Sequence, residues 1–394
     1  MIKIVPYTAE LKSVWDTFIE SSKNGIFMFK RDFMDYHADR FSDNSLLFYS
    51  DDELIALLPL SRHDNILKSH GGLTFGGFIS STNMKQVKMN ECVGALIDYL
   101  QKQNFAHLEY KKVPQIYSEI PSDEDIYALW RHNATLSKVE PSTAINLRVP
   151  LKMSKGRKAQ ISRAKREGVS AVESSDFETF IALENEILAK YHGAKATHSG
   201  AELTLLAGRF PENIKLYVAR QNGNDELLAG VVLFVYKNLV HTQYMASSEK
   251  GREIGALDLI ISDLLRKYSD KIYFDFGISS ENNGLNLNTG LIAQKESFGA
   301  RVLIHSAFIL YQNGGGDCLS FSYFLLLLHI STDSRFLFLS FHALLLRIFI
   351  SNLQICILAN AIFLCEKCKF VGLSRKNFTS KESQWKLCKL KSNH

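Results

Sequence analysis

Residues 239–301 constrain the fold of this 394-residue chain more than any other stretch. They contain a strand-like run over 239–247, a glycine-bearing segment over 249–256, an apolar helix-like segment over 256–268 and a second strand over 271–276. Backbone N–H groups and the positive end of the helix dipole in such an arrangement can point at the phosphates of a ligand. The stretch therefore predicts a site for a phosphate-containing donor, which makes acyl or aminoacyl transfer the first hypothesis.

The chain divides near residue 150 into two halves that repeat the same order of elements. In the first half we expect strands and helices, in chain order, over residues 2–6, 8–21 (helix), 27–41 (helix), 46–49, 53–60, 84–103 (helix) and 105–110. In the second half we expect them over 177–191 (helix), 216–220, 227–236, 239–247, 256–268 (helix), 271–276, 287–297 (helix) and 301–311. Strands interleaved with helices predict an α/β (α+β layered) fold in which mixed sheets of two related units are flanked by helices.

Three regions follow from this division: a first half over 1–150, a second half over 151–312 that carries the donor-binding loop, and an atypical tail over 313–394. The tail is hydrophobic and then basic, and it contains no proline. Its run over 336–364 is long enough to span a bilayer but is interrupted by polar residues such as Arg347. A membrane anchor, an interfacial hairpin and a segment foreign to the working protein are the alternatives. The abrupt change in composition favours the last, as a frameshift or insertion near codon 312 would produce.

The net charge of +5 does not describe the body of the chain. From residue 313 onward, ten Lys and Arg stand against four Asp and Glu, so residues 1–312 carry about −1. That balance requires no nucleic-acid partner. The tail holds five of the six cysteines, and Cys92 is the single cysteine of the body, as expected for a reduced cytosolic protein. No N-terminal signal peptide is evident.

A basic segment over 151–168 joins the halves, with seven cations and one acidic residue. At helical spacing Lys158, Lys165 and Arg166 share one face, and Arg157 is close to it. A solvated helix face is one explanation. The other is a docking surface for the phosphates of a donor or acceptor, to which arginine and lysine are suited.

Several further segments have a distinctive sequence: EYKKVPQIY over 109–117, PSDEDIYAL over 121–129, YFDFGIS over 273–279 and the run from Leu285 to Arg301. Together with the basic segment they resemble the bacterial GNAT and FemAB-like transferases of surface-polysaccharide gene clusters. The resemblance covers about residues 1–312 and excludes the tail. It implies a tandem GNAT architecture and transfer of an acyl group to an amine. The donor is acyl-CoA in most GNAT proteins and aminoacyl-tRNA in the FemAB branch.

The resemblance also implies a donor site in the second half. The GNAT pyrophosphate loop has Gln or Arg, two residues, Gly, one residue, and then Gly or Ala. Arg252 and Gly255 match its first two anchors, but Leu257 stands where a small residue is expected. We therefore expect acetyl-CoA or another acyl-CoA to bind at Arg252, Gly255 and Ala256, although an ordinary strand-to-helix turn would also explain the spacing. The adjoining strand residues Tyr244, Met245 and Ala246 would contribute backbone N–H groups that polarise the acyl carbonyl.

Acyl transfer to an amine requires a base for the amine proton and an acid for the departing thiolate. Asp275, His241 and Glu281 are the candidate bases. Asp275 lies between two phenylalanines, where burial would raise its pKa, although a structural carboxylate held by hydrogen bonds would fit the same position. His241 is more readily explained as a structural histidine. Tyr244 is a candidate acid, but aromatic residues on strands usually belong to the core.

Three residues near the end of the body are candidates for binding the acceptor. Asn286 and Asn288 can hold a sugar hydroxyl or cap the following helix, and capping is favoured. Lys295 can bind substrate or pair with its surroundings. The loop from Gly71 to Gly77 fits neither a P-loop nor a dinucleotide-binding fingerprint, so it serves an approach to an acceptor sugar or a tight connection. No metal site is predicted, because Cys365 and Cys368 lack a second ligand pair.

The preferred hypothesis is a cytoplasmic N-acyltransferase that moves an acyl group from acyl-CoA to an amino sugar for a surface polysaccharide. The acceptor is nucleotide-linked or lipid-linked, and the tail would supply any contact with the inner membrane. Aminoacyl transfer from tRNA to a cell-wall precursor is the alternative within enzymes. An inactive binding or scaffold relative is the alternative from another class.

Overall fold

Two series of strands and helices follow one another along the chain in the same order. The structure, a computed structural model, describes residues 1–313. The strands of the first series are β1 (Ile2–Pro6), β2 (Ser42–Asp43), β3 (Leu46–Ser50), β4 (Glu53–Leu58), β5 (Ser61–His63), β6 (Ile66–Lys68), β7 (Ile79–Ser80), β8 (His107–Lys111) and β9 (Thr135–Asn146). Its helices are α1 (Lys12–Ser21), α2 (Arg31–Met34), α3 (Gln86–Lys102) and α4 (Glu124–Arg131).

The second series begins with a helix and ends with a long strand. Its helices are α5 (Lys155–Arg166), α6 (Phe177–His192), α7 (Gly200–Arg209), α8 (Glu249–Ile254), α9 (Ala256–Lys267) and α10 (Thr289–Ser297). Its strands are β10 (Val169–Ser174), β11 (Ile214–Gln221), β12 (Asn224–Val235), β13 (Leu239–Ser247), β14 (Tyr273–Ile278), β15 (Ser280–Glu281), β16 (Asn286–Leu287) and β17 (Arg301–Tyr311).

The sheet order confirms the predicted mixed α/β architecture of two related units. One sheet has the order β1-β3-β4-β7, and the corresponding strands of the second unit, β10-β11-β12-β13, are neighbours in the same order. In each unit two helices lie between the first two of these strands, and a further helix follows the fourth strand, α3 in the first unit and α9, after the short α8, in the second. A further strand then follows in each unit, β8 and β14 respectively.

The two units exchange their closing strands. β9, the last strand of the first series, pairs antiparallel with β14 of the second. β17, the last strand of the second series, pairs antiparallel with β8 of the first. The two closing strands also pair with each other from Arg301↔Ala144 to Ile309↔Thr135. The exchange joins strands of both units in one eleven-stranded sheet and brings first-unit side chains next to β14.

β13 and β14 diverge, and this divergence positions the candidate site. They pair in parallel only from Leu239↔Tyr273 to His241↔Asp275, whereas β13 continues to Ser247. On its other edge β13 remains paired with β12 as far as Ser247, with a bulge beside Gln243. Beyond His241, one edge of β13 is therefore paired with β12, and the opposite edge is no longer paired with β14.

The aromatic run after Phe27 differs from the sequence expectation. One helix was expected over 27–41, but the chain there forms a 3₁₀ turn, the four-residue α2 and a second 3₁₀ turn. The reason is packing between the units. The ring of Phe27 contacts Phe210, Phe234 and Tyr236 at centroid distances of 5.5, 5.4 and 5.1 Å. A straight amphipathic helix would not bury the three successive residues Phe27, Met28 and Phe29, all of which are buried here.

Other expectations agree closely with the structure, and some elements were missed. The expected strands over 2–6, 239–247 and 301–311 have the observed bounds. No expectation covered β9, α4, α7 or β10. The predictions for residues 314–394 lie outside the described residues. No helix within residues 1–313 is long and apolar enough to cross a membrane.

Candidate functional site

His241 and Asp275 form a hydrogen-bonded pair at the point where β13 and β14 diverge. Nδ1 of His241 lies 2.7 Å from Oδ2 of Asp275. The carboxyl group is fully buried, and the histidine is 9 % exposed. Because an ionised carboxylate only accepts, Nδ1 carries the proton and Nε2 holds the lone pair. Nε2 of this imidazole is thereby available as a base.

Two side chains of the first unit donate hydrogen bonds to the carboxylate of Asp275. The hydroxyl of Tyr117 donates to Oδ2 of Asp275 at 2.8 Å, and the hydroxyl of Ser142 on β9 donates to Oδ1 at 3.2 Å. The backbone N–H of Gly277 adds a third donor at 3.0 Å. Neither Tyr117 nor Ser142 was expected to be a site residue, because they lie 158 and 133 positions from Asp275 along the chain.

These contacts reverse the expected titration of Asp275. Burial by itself raises the pKa of the carboxyl group, as the flanking phenylalanines suggested. The attraction and hydrogen bond of His241, together with the N–H of Gly277, outweigh burial and hold the pKa of Asp275 well below its usual range. Asp275 is therefore an ionised group that orients the imidazole, and it is unsuited to accept a proton at neutral pH.

Gly277 makes room for the imidazole ring. It has a φ of +74°, a left-handed conformation that side chains rarely adopt. A Cβ atom at this position would lie 3.0 Å from Cε1 of His241. Lys295 holds the same turn from α10, donating to the carbonyls of Gly277 and Ile278 at 3.0 and 2.6 Å. Burial lowers the pKa of this lysine to about 8.

A second group of buried titratable side chains lies near Tyr244. The backbone N–H of His198 donates to the Tyr244 hydroxyl at 3.2 Å, and Nδ1 of His198 lies 2.7 Å from it. Burial lowers the pKa of His198 to about 4, which keeps the ring neutral at neutral pH. Glu184 on α6 is buried, and its Oε2 has no hydrogen-bond partner within residues 1–313. Burial raises its pKa to about 7.

The expected pyrophosphate-loop residues lie at the junction of α8 and α9. Gly255 separates the two helices with a φ of +81°, and a Cβ there would lie 2.7 Å from the carbonyl oxygen of Gln160 on α5. Ala256 is fully buried. The side chain of Arg252 lies over Tyr191 and donates to its hydroxyl at 2.8 Å. Helix α5 therefore packs against the start of α9.

The basic segment forms the predicted helix, and its cations have different environments. Arg157 forms an ion pair with Asp258 at 2.7 Å and donates to the hydroxyl of Ser297 at 2.8 Å. Lys158 and Lys165 are exposed. Arg157 thus joins α5 to α9 and α10, whereas the two lysines remain accessible to a ligand.

The remaining candidates lie on and after the β15–β16 hairpin. Asn288 caps α10, accepting from the N–H of Leu291 at 2.9 Å, as the sequence favoured. Its amide also donates to Glu281 at 2.9 Å. Glu281 and Asn286 are exposed.

Met245 and Ala246 lie on β13 beyond its last pairing with β14. Within residues 1–313 no cluster of three or more metal-ligating side chains occurs.

Comparison with known proteins agrees with the fold. Residues 153–282 match the acetyltransferase (GNAT) domain family. The structure of FemX is similar with a TM-score of 0.57 and 10% identity, covering 79% of this chain and 98% of that chain. The C-terminal domain of a putative lysylphosphatidylglycerol synthetase from Agrobacterium fabrum has a TM-score of 0.51 and 10% identity, covering 84% and 99%.

A conserved protein of unknown function from Bacteroides thetaiotaomicron VPI-5482 is also similar, with a TM-score of 0.52 and 12% identity over 79% of this chain and 100% of that one. No curated protein matches the sequence. At these identities the structural similarity concerns the fold alone. Residues 153–282 thus match the GNAT acetyltransferase domain, and the fold of the chain is similar to that of FemX, so the resemblance noted in its sequence is confirmed to that extent.

Proposed function

We propose that the protein is an N-acyltransferase in which His241, oriented by Asp275, accepts a proton from the acceptor amine. The hydrogen-bonded pair at the divergence of β13 and β14 is the observation that carries the proposal. Asp275 remains ionised, fixes the tautomer of His241 and stabilises the imidazolium that forms. A positioned general base of this kind contributes about 10²–10⁴-fold to the rate.

The proposed step conserves atoms and charge. The amine nitrogen attacks the thioester carbonyl carbon of an acyl-CoA, so that a C–N bond forms and the C–S bond breaks. The amine proton passes to Nε2 of His241, and the departing thiolate takes a proton from the hydroxyl of Tyr244. Over Tyr244, Met245 and Ala246, β13 is paired with β12 but no longer with β14, so alternate backbone N–H groups point away from β12, which supports a role for them in polarising the acyl oxygen.

Packing of α5 limits where the donor's phosphates can lie. The backbone at Gly255 and Ala256 is covered by α5, so an approach of pyrophosphate to these two residues requires α5 to move. The side chain of Arg252 and the exposed lysines Lys158 and Lys165 are accessible without that movement. We therefore propose that these three side chains contact the donor phosphates, with Gly255 and Ala256 shaping the helix junction.

For the acceptor we propose an amino sugar destined for a surface polysaccharide. The support is the resemblance of residues 1–312 to transferases of such gene clusters, together with a base suited to an amine. Asn286 is exposed on the hairpin after β14 and is available to a sugar hydroxyl. Asn288 and Lys295 act through the geometry of α10 and of the turn at Gly277. Acyl-CoA is a cytoplasmic donor, so we place the reaction in the cytoplasm.

Aminoacyl transfer from tRNA is the second candidate, and the exposed cations of α5 favour it. Lys158, Lys165 and Arg166 are exposed on this helix, where a phosphate backbone can reach them. The similarity of the fold to FemX and to a domain of a putative lysylphosphatidylglycerol synthetase is compatible with this candidate.

A donor assay on the full-length protein separates the two candidates. The protein is incubated with an amino sugar and either acetyl-CoA or aminoacyl-tRNA, and the acylated product is measured by mass spectrometry. Product from acetyl-CoA that is lost in His241→Ala supports the first proposal. Product from aminoacyl-tRNA alone supports the second. Product formation that is unchanged in His241→Ala would overturn the assigned role of His241 with either donor.

A further inference from the structure

A small cleft of about 280 Å³ lies where the closing strand β17 runs between β8 and β9. In the sheet register Ala307 is opposite both Lys111 on β8 and Lys138 on β9. Directly opposed residues point to the same face of a sheet, so the small alanine leaves space between the two lysines. The cleft thus has a cation on each side.

The polar groups around this cleft favour an anion. His305 is opposite Glu140 and lines the cleft two residues before Ala307. The Nε2 atom of His305 is buried and has no hydrogen-bond partner within the described residues 1–313. Lys138 pairs with Glu140 at 2.9 Å, and Glu140 is the single acidic residue among the described residues that line the cleft.

The ammonium group of Lys111 can donate one further hydrogen bond to a ligand. Its ammonium donates to the carbonyls of His70 and Leu73, which leaves one of its three N–H groups without a contact among residues 1–313. Burial, together with repulsion from Lys138 and Lys68, lowers its pKa to about 8. A bound anion between the two lysines would relieve this repulsion.

The cleft is close to the proposed catalytic pair. Phe75, from the glycine-rich loop, lines the cleft and packs against Tyr117 at a centroid distance of 4.6 Å. The hydroxyl of Tyr117 donates to Asp275. One layer of side chains therefore separates the cleft from the carboxylate that orients His241.

We infer that this cleft, between Lys111 and Lys138 and beside His305, binds a phosphoryl group of the acceptor. Lysine ammonium groups bind phosphate as point charges and suit it when several converge. The volume is smaller than that of a whole-ligand pocket, which is about 300–1,000 Å³, so it fits one charged portion of a larger acceptor. The inference rests on the proposed function, because it assigns the substrate class of the same site.

The test is calorimetric titration of the full-length protein with sodium pyrophosphate. We expect saturable binding that is weakened roughly tenfold in Lys138→Met, because the variant lacks one charge-assisted hydrogen bond to the anion. Lys102→Met, which removes an exposed charge on α3, is the matched control and should bind pyrophosphate as the wild type does. Glu140→Gln should bind more tightly, because it removes the single acid of the cleft. Equal affinity in Lys138→Met, Glu140→Gln and the control, or the absence of binding, would overturn the inference.

Two further arms identify the source of the phosphate and separate this inference from the proposed function. If uridine diphosphate binds more tightly than pyrophosphate, the acceptor is nucleotide-linked. If farnesyl diphosphate binds more tightly than pyrophosphate, the acceptor is lipid-linked. His241→Ala should lose turnover and retain pyrophosphate binding. If His241→Ala keeps both its turnover and its pyrophosphate binding, the phosphate site in the cleft is supported and only the proposed role of His241 as the base is rejected.

Discussion

His241 and Asp275 lie side by side on parallel strands, 34 residues apart, with Nδ1 of the imidazole 2.7 Å from the buried carboxylate. Their pairing is the last one before β13 and β14 diverge. The proposed base is thereby fixed where the two strands separate, and the carboxylate beside it accepts hydrogen bonds from Tyr117 and Ser142 of the first unit. The exchange of closing strands makes this arrangement possible, because β9 brings Ser142 to β14.

Replacement of His241 should remove the base and leave the fold intact. We expect His241→Ala to lower kcat by about 10²–10⁴-fold, the range of a general base. Exogenous imidazole should restore part of the activity, since the missing ring leaves space beside Gly277. Asp275→Asn should lower kcat by a smaller factor, because the imidazole remains but loses its ionic partner. Steady-state kinetics with melting curves for each variant check both effects, and unchanged turnover in His241→Ala would exclude it as the base.

Gly277 and Gly223 provide a matched test of the space that the imidazole needs. Both have left-handed backbone, with φ values of +74° and +72°, but no heavy atom lies within 4 Å of a Cβ added at Gly223. Alanine at either position should destabilise the fold by about 1–2 kcal/mol through backbone strain. Only Gly277→Ala should also displace His241 and lower kcat. Equal activity of the two variants at equal stability would show that the contact with His241 has no catalytic consequence.

How far the sequence predicts the site depends on the separation of its residues along the chain. β13 and β17 were predicted with their observed bounds, because buried strands with clear turn signals are local features. His241 and Asp275 were both candidates, yet their direct contact follows from a parallel pairing that no local pattern reveals. Ser142 reaches Asp275 from the exchanged strand β9, and Tyr117 reaches it from the 3₁₀ turn between β8 and α4 of the first unit.

Tertiary packing also explains the expectations that were wrong. The aromatic run after Phe27 has helical composition, but the shared core between the units requires successive rings to be buried, and short turns achieve this. β9 was missed because its twelve residues are mostly polar and include Pro141. It forms a strand because β14 and β17 supply partners on both edges. The pKa of Asp275 was expected to be raised by its neighbours in sequence, whereas its neighbours in space lower it.

Glu184 should make the stability of the protein depend on pH. Burial raises its pKa from about 4.5 to about 7, and its Oε2 has no partner within residues 1–313. The native state then binds more protons than the unfolded state between these values, so stability falls as the pH rises from about 4.5 to 7. Glu184→Gln should remove this pH dependence. The stability of the variant relative to the wild type should therefore be higher at pH 8 than at pH 5, by up to about 3 kcal/mol.

Urea unfolding of the wild type and of Glu184→Gln at the two pH values measures this difference. Glu178→Gln is a suitable control, because Glu178 is exposed on the same helix. The same stability difference between wild type and Glu184→Gln at pH 5 and pH 8 would show that the carboxyl group titrates normally.

Arg157 and Lys158 are adjacent on α5 but should respond differently to the same substitution. Arg157→Met removes the ion pair with Asp258 and the hydrogen bond to Ser297, and it leaves a buried carboxylate without its partner. We expect a loss of about 1–3 kcal/mol in the free energy of unfolding. Lys158→Met is exposed and should change stability by less than about 0.5 kcal/mol. If Lys158 contacts the donor phosphates, however, this variant should raise the KM for the donor up to roughly fivefold, the effect of one exposed ion contact. Denaturation and donor kinetics on both variants separate the two roles, and a normal KM in Lys158→Met would remove that lysine from the donor site.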